Sequence, residues 1–354
     1  MASLDSSDES PAERPPRILT YYRKNNHPEW LRKVDLYEPL AAETERLWRK
    51  NISLSYRLWR EALWTWRLFW LSKKYDVILT CSDRIALFFG VAQRIFRRRR
   101  VPHIFLNFFI YQRGGRFGWA LRRSICRLAI DGASYALVHR TMEIDAYSRI
   151  LDVPAQKFRF VPDHATVFNA EVDVRDDRYI FSGGDANRDY PFLIDAIKDL
   201  PYRVIIVTFQ KNHFKDVEIP KNIEIMAPVP KHRFLELMAH SSLIVVPLKN
   251  RLLHVGGRQT YLDAMTIGKP IIVTDLDAGD YVTSGVTGIL IPRGDAGALR
   301  ESIKKVMDDR DFARSLGRKA KEASLGFTPE KFFATVFDLC SRCAAEPLQT
   351  ETER

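Results

Sequence analysis

The sequence predicts an α/β protein made of two Rossmann-like halves. Three observations carry the prediction. The chain has 354 residues, enough for two domains of about 150 residues each. Short apolar runs of strand length alternate with helical stretches along it, the pattern of parallel sheets covered by helices. In the second half the alternation is cleaner and repeats about six times, with glycines after a strand, as in a doubly wound sheet.

The elements follow in order. The opening MASLDSSDESPAERPPR is polar and Pro/Ser-rich with no apolar core, so residues 1–16 read as a disordered tail and not a leader peptide. Residues 17–165 form a first domain. Its strand-like runs are Arg17–Tyr22, Asp76–Cys81, Pro102–Asn107 and Ser134–His139, separated by basic, aromatic helical stretches. Residues 166–328 form a second domain. Strands are expected at Arg178–Gly184, Tyr202–Phe209, Ile223–Met226, Ser242–Pro247, Ile271–Thr274 and Gly288–Ile291. Helices are expected at Pro191–Leu200, His232–His240, Thr260–Ile267 (closed by Gly268) and Ala298–Met307. Residues 329–354 read as a last helix returning to the first domain, followed by a tail.

Composition narrows the class. With 46% apolar and 28% charged residues the chain is globular. No uncharged apolar run approaches the ~18–20 residues of a membrane span; Ala62–Leu71 is short and contains Arg67. Four cysteines fit a reducing compartment, and the lone CxxC of Cys340 and Cys343 reads as two thiols on a terminal helix. No pair of His or carboxylates has metal-ligand spacing, so no catalytic metal is expected. The charge is uneven. Residues 46–150 hold 21 Lys/Arg against 6 Asp/Glu, whereas the whole chain is only +11. One basic segment of this kind points to a polyanionic surface.

Two motifs carry chemistry. In Phe181-Ser-Gly-Gly-Asp-Ala-Asn-Arg-Asp-Tyr190, Gly183 and Gly184 directly follow a strand and allow a ligand close to the backbone. Arg188, just before a helix, is suited to a diphosphate; the plainer reading is a β-to-α turn with a solvated Arg. In His254-Val255-Gly256-Gly257-Arg258-Gln259, a Gly-Gly turn opens a helix whose unpaired N–H groups and dipole favour an anion. Arg258 adds a charge. Asp263, one turn beyond Gln259, is placed to accept hydrogen bonds from a ribose; the plainer reading is a surface carboxylate. Both motifs fall at the C-terminal ends of strands, where open α/β sheets bind ligands.

From about Arg178 to Phe327 the sequence resembles the retaining glycosyltransferases of group 1, which include bacterial mannosyl- and glucosyltransferases. The resemblance rests on Tyr261-Leu-Asp-Ala-Met-Thr-Ile-Gly-Lys-Pro-Ile-Ile-Val-Thr-Asp275, on Gly285-Val-Thr-Gly-Ile-Leu-Ile-Pro-Arg-Gly-Asp295 and on Val245-Val-Pro247. It implies the GT-B arrangement, two Rossmann-like domains facing across a cleft. It also implies a nucleotide sugar as co-substrate, with UDP or GDP as the expected nucleotide and no further cofactor. Arg188 falls on the family's diphosphate-binding Lys, and Asp263 on the Glu that binds the donor ribose. The family's other acidic residue, which contacts the transferred sugar, falls on Val255 with His254 beside it. Its diphosphate-binding Arg falls on Gly183. The glycine-rich loop after the first strand is absent, and the position that often holds a histidine reads Asn107-Phe-Phe.

The basic first half reads as the acceptor side. Trp59, Leu63, Trp66 and Trp70 form one helical stripe, with Arg57, Arg60 and Arg67 off it. A membrane-surface helix fits this, as do Phe96-Arg-Arg-Arg-Arg100 and Arg122-Arg123. The alternative is a helix whose Trp stripe packs into the core. No helix-turn-helix, zinc-finger or RNP pattern is present, so nucleic acid is not expected as the polyanion. His139 and His164 read as structural histidines.

The expectation is therefore a glycosyltransferase acting on a lipid-linked or glycan acceptor. It would be cytoplasmic and peripheral at the inner face of an anionic membrane. The alternatives are a non-catalytic scaffold subunit of a glycosylation complex and a sugar-nucleotide epimerase.

Overall fold

The computed structural model describes residues 15–21, 28–42, 53–81, 83–96, 101–110, 115–168, 171–209, 214–215, 217–249 and 256–345. The chain divides into two compact units. One comprises Met1–His139, Glu143–Val161 and Phe333–Arg354; the other comprises Arg140–Met142 and Pro162–Phe332.

The first unit is built on strands β1 (Ile18–Thr20), β2 (Asp35–Leu36), β3 (Val77–Thr80), β4 (His103–Phe105), β5 (Tyr135–Val138) and β6 (Phe158–Phe160). They lie in the order β2-β1-β3-β4-β5-β6, every pair parallel. The chain moves outward from β1 to β2, then crosses back to place β3 on the other side of β1. The strand order therefore reverses between β1 and β3. The helices of this part of the chain are α1 (Pro28–Lys33), α2 (Leu54–Leu71), α3 (Arg84–Ile95), α4 (Arg116–Gly132) and α5 (Thr141–Leu151). Helices α3 and α4 approach so closely that a Cβ on Gly132 would fall 1.9 Å from the Gly90 carbonyl oxygen, and one on Gly90 2.6 Å from the Ala129 oxygen.

The second unit repeats the scheme with β7 (Tyr179–Gly183), β8 (Arg203–Val207), β9 (Ile223–Met226), β10 (Leu243–Val246), β11 (Ile271–Val273) and β12 (Ile289–Leu290). The order is β12-β11-β10-β7-β8-β9, again all parallel. Here the reversal lies between β7 and β10. Strand β10 reads Leu-Ile-Val-Val and is buried throughout, as a strand covered on both faces must be. Alternate residues serve opposite layers. Ile180, Val204, Ile206, Val245 and Ile272 pack on one side of the sheet; Phe181, Ile205, Val207, Ile244 and Val246 pack on the other. The helices are α6 (Tyr190–Ile197), α7 (Lys231–His240), α8 (Arg258–Thr266), α9 (Ala296–Asp308) and α10 (Arg310–Ser324). The last helix, α11 (Pro329–Ala345), sets Phe333 and Phe337 against the Trp30 ring at 5.4 and 5.9 Å in the first unit.

Several expectations need correction. Strands β2 and β6 were not legible: one has two residues, and the other sets an exposed Arg between two Phe. Helix α8 starts at Arg258, two residues before the expected Thr260, because Gly257 adopts φ +110° and caps it. The Trp stripe of α2 is not core. Trp59, Trp66 and Trp70 are 59%, 53% and 44% exposed, while Trp64 and Leu68 on the opposite side are buried. Arg97–Arg100 lie outside the described residues. No helix of the described residues is long and apolar enough to cross a membrane.

Candidate functional site

In doubly wound sheets ligands bind outside the carboxyl ends of the strands where the order reverses. In the second unit that place is the crevice between β7 and β10. Strand β7 runs into Gly183 and Gly184, and the turn from Asp185 to Asn187 leads to Arg188. Asp189 then caps α6 by accepting from the Phe192 N–H at 3.3 Å. The turn is stitched to the segment after β10: Asp189 N–H donates to the Pro247 carbonyl at 3.0 Å, Lys249 N–H to the Asn187 carbonyl at 2.9 Å, and Arg188 bridges Leu248.

The glycines are required by space and by backbone angle. A Cβ on Gly183 would lie 2.5 Å from the Phe234 ring. The arginine that the family carries at this position therefore has no room here. A Cβ on Gly256 would meet the Ala186 oxygen at 2.5 Å, so the turn at Gly256-Gly257 lies directly on the turn after β7. Gly184 and Gly257 hold φ values of +106° and +110°, a region open to glycine and strained for other residues.

Arg188 joins these two turns. It is buried, not solvated. Its Nε donates to Gly183 O at 3.1 Å, Nη1 to Ala186 O at 3.0 Å and Nη2 to Thr260 Oγ1 at 2.9 Å. All three acceptors are neutral. Burial pushes its pKa below the usual arginine value, the direction expected when a cation leaves water. The nearby Asp185 carboxylate and the Tyr190 hydroxyl favour its charged form, so the buried cation is kept at the mouth of the turns by neutral hydrogen-bond acceptors and a neighbouring anion. There the first N–H groups of α8 also lack a side-chain cap.

The other predicted residues come together on a different partner, the segment Asp163–Thr166. Arg258 Nε and Nη2 donate to Asp163 Oδ2 at 3.1 and 2.9 Å. Gln259 Nε2 donates to the His164 carbonyl at 3.2 Å and to Asp263 Oδ1 at 3.1 Å. Asp263 is buried and accepts from Thr166 N–H at 2.7 Å and Thr166 Oγ1 at 2.9 Å. Burial raises its carboxyl pKa against the lowering effect of those bonds. Tyr281 completes the clamp by accepting from Asp163 N–H at 3.1 Å. Asp263 is thus no surface carboxylate, and Arg258 is an ion-paired arginine. His254 and Val255 lie outside the described residues. His139 and His164 each use Nδ1 on a backbone carbonyl, Val161 O at 2.7 Å and Ala165 O at 2.8 Å.

Two groups escaped sequence reasoning. Asp185 Oδ1 accepts from Thr208 Oγ1 at 2.5 Å and Phe209 N–H at 2.7 Å, fixing the backbone just past β8 beside the Gly184 turn. In the first unit, the reversal between β1 and β3 is closed by Tyr21, whose hydroxyl donates to Asp83 Oδ1 at 2.8 Å. The same oxygen caps α3 through Ala86 N–H at 2.8 Å. Arg84 beside it makes a bidentate pair with Glu61 at 2.6 and 2.8 Å. Burial lifts the Asp83 carboxyl to about 6. The available signal was position alone: Tyr21 and Asp83 each follow a strand of the reversal.

Residues 177–309 match the family model described as glycosyl transferases group 1. An uncharacterised glycosyltransferase of Methanocaldococcus jannaschii is 28% identical over 146 residues, 39% of this chain and 40% of that protein. An exopolysaccharide phosphotransferase of Streptomyces coelicolor is 26% identical over 122 residues, 34% of this chain but 12% of that protein. The chain thus spans less than half the length of either relative. Among solved structures, the Anabaena HepE protein in complex with UDP-glucose superposes with a TM-score of 0.66 at 14% identity, covering 92% of this chain and all of that one. The two all-parallel sheets and this likeness fit the GT-B fold.

Proposed function

We propose, from the premise that this chain belongs with the GT-B glycosyltransferases and carries their group 1 domain, that it is a glycosyltransferase. It transfers a sugar from a nucleoside diphosphate donor to an acceptor at an anionic membrane surface, with retention of configuration. The observation that carries the donor reading is Arg188, a buried guanidinium bonded only to neutral acceptors between two positive-φ glycine turns. A diphosphate at this crevice meets that charge and the uncapped N-terminus of α8 together. Both are fixed before the reaction, so they stabilise the leaving diphosphate without reorganisation. Gly183, Gly184, Gly256 and Gly257 let the phosphates approach the backbone. Asp263, with Gln259, is the ribose acceptor once Thr166 yields to the sugar hydroxyls. Because the Anabaena neighbour holds UDP-glucose, a uridine nucleotide is the first donor to test.

The acceptor side of the proposal rests on the first unit. Helix α2 exposes Trp59, Trp66 and Trp70, α3 ends with exposed Ile95 and Phe96, and α4 exposes Phe117, Leu121 and Leu128. Arg67, Lys73, Arg116, Arg122 and Arg123 are exposed on the same helices and the turn after α2, with Lys73 Nζ 3.7 Å from the Trp70 ring centre. Exposed aromatics among cations suit a lipid headgroup layer, which supports the reading of a lipid-linked or glycan acceptor; the inner, cytoplasmic face is part of the proposal.

A thermal-shift screen against UDP, GDP and ADP sugars tests the donor reading, because a bound ligand raises the melting point by mass action. No shift with any of them at millimolar concentration would overturn it. Vesicles containing anionic lipid should sediment the protein at low salt and release it when Trp59, Trp66 and Trp70 are replaced by Ser. A scaffold role remains the second reading, favoured by the engagement of both Arg258 and Asp263 with Asp163–Thr166. Release of nucleoside diphosphate from a donor sugar by the purified chain would exclude it.

A further inference from the structure

The most exposed large apolar side chain among the described residues of the second unit is Phe209, at 74%. A lone exposed phenyl is ordinary on a protein surface. This one is distinguished by its position. It lies two residues past β8, at the carboxyl end of the sheet, and β8 neighbours β7, which neighbours β10. Three adjacent strand ends thus present the α8 turn, the Gly184 turn and Phe209 in a row. Adjacent strands are about 4.8 Å apart, so the row from β10 to β8 spans roughly 10 Å. That distance is comparable to the reach of a ribose between its phosphates and its base.

The second distinction is rigidity. Asp185 Oδ1 accepts both the Phe209 N–H and the Thr208 hydroxyl, and Gly184 N–H donates to Val207 O at 3.0 Å. The backbone under the ring is therefore tied to the turn that faces the diphosphate. The anchor point of the side chain is thereby fixed relative to that turn, and its two χ angles are what a stacked planar group would order.

We infer, resting on the reading of this site as a nucleoside diphosphate sugar site, that the Phe209 ring is the platform on which the donor nucleobase stacks. Aromatic platforms accept any base through its π face, so Phe209 contributes affinity, and the choice among bases falls to other groups. Asp185 is its positioning residue.

The test is calorimetric titration of the full chain with UDP, UDP-glucose, GDP, ADP and inorganic pyrophosphate, for the natural protein, Phe209→Ala and Phe209→Trp. Phe209→Ala should weaken the nucleotides that bind by about tenfold or more, the scale of losing one stacking ring, and leave pyrophosphate unchanged. Phe209→Trp should retain affinity and show indole emission quenched by nucleotide. Equal loss of pyrophosphate and nucleotide, or unchanged nucleotide affinity in Phe209→Ala, would overturn the inference. So would loss confined to UDP-glucose with UDP unaffected, which would place the ring against the sugar. If the natural protein binds no nucleotide, both this inference and the donor reading fall; if it binds and Phe209→Ala binds equally well, only this inference does.

Discussion

The two sheets reverse their strand order in the same way, yet the two reversals are finished differently. In the second unit the crevice between β7 and β10 is lined by glycine turns at positive φ, with a cation beneath them that has no anionic partner in its hydrogen bonds. In the first unit the place between β1 and β3 holds Tyr21 and Asp83 bonded to each other, with Glu61 and Arg84 paired beside them. A shared topology supplies two candidate ligand positions, and among the described residues the second is the one that presents a buried cation beside glycine turns. Basic character is likewise divided: the first unit carries it on exposed helices, and the second buries Arg188 at the crevice.

The largest effect that would break this contrast is at Gly257. Gly257→Val places a β-branched side chain at φ +110°, with its Cβ 3.0 Å from Arg188 Nη1 and 3.1 Å from Val246. Strain of about 1–3 kcal/mol and loss of the anion-facing turn should lower turnover by ~10³-fold, read by release of nucleoside diphosphate. Arg188→Ala comes next, with turnover down about 10²-fold. It should also lower stability by about 3 kcal/mol, since buried acceptors lose their donor. Arg188→Lys should rescue neither, because one ammonium cannot reach three acceptors in a fork. Wild-type-like turnover in Arg188→Ala would remove it from the mechanism.

Asp263 gives a smaller and more discriminating effect. Asp263→Ala should weaken UDP binding about tenfold, the scale of hydrogen bonds to a charged group. Thr166→Val should leave it equal or tighter, because the competing hydroxyl is gone. Weaker UDP binding by Thr166→Val would mean that the clamp, and not a freed carboxylate, serves the ligand.

The smallest effect probes the first unit. The folded Asp83 carboxyl titrates at about 6, above its ordinary value of 3.8. Folding therefore favours the protonated acid, and this contribution is complete below pH ~4 and lost as pH rises through about 6. Asp83→Asn keeps the cap and an acceptor for Tyr21 but has no charge to bury. Its melting temperature should match the natural protein near pH ~3 and exceed it by a few degrees at pH 7.5. Nucleotide affinity should be unchanged by Tyr21→Phe; if it falls, the first reversal is a ligand site too.

The strands legible in the sequence were those with buried apolar runs, such as β10, whose Leu-Ile-Val-Val is buried throughout and lies inside the expected Ser242–Pro247. Strand β2 offered two residues and no periodicity. The positions of the glycine turns and of Asp263 were legible because they sit next to periodic segments. Their partners were not: Arg188 meets Thr260 across 72 residues, and Asp263 meets Thr166 across 97. Local pattern gives the residue type a turn needs and is silent on which distant donor folds onto it. The exposure of the Trp stripe was undecided for a similar reason. Both faces of α2 are aromatic, and only packing shows that Trp64 faces inward.

The contact of Gly90 with Gly132 has a consequence for reading mutational scans of this protein. Substitution at either position forces α3 and α4 apart, because the obstructing atoms are backbone atoms that no rotamer change removes. A survey of all single variants would rank this pair beside the crevice glycines in intolerance. Sensitivity maps will therefore carry two superimposed signals, one from ligand contact and one from helix spacing. A paired measurement of soluble protein yield is what separates them.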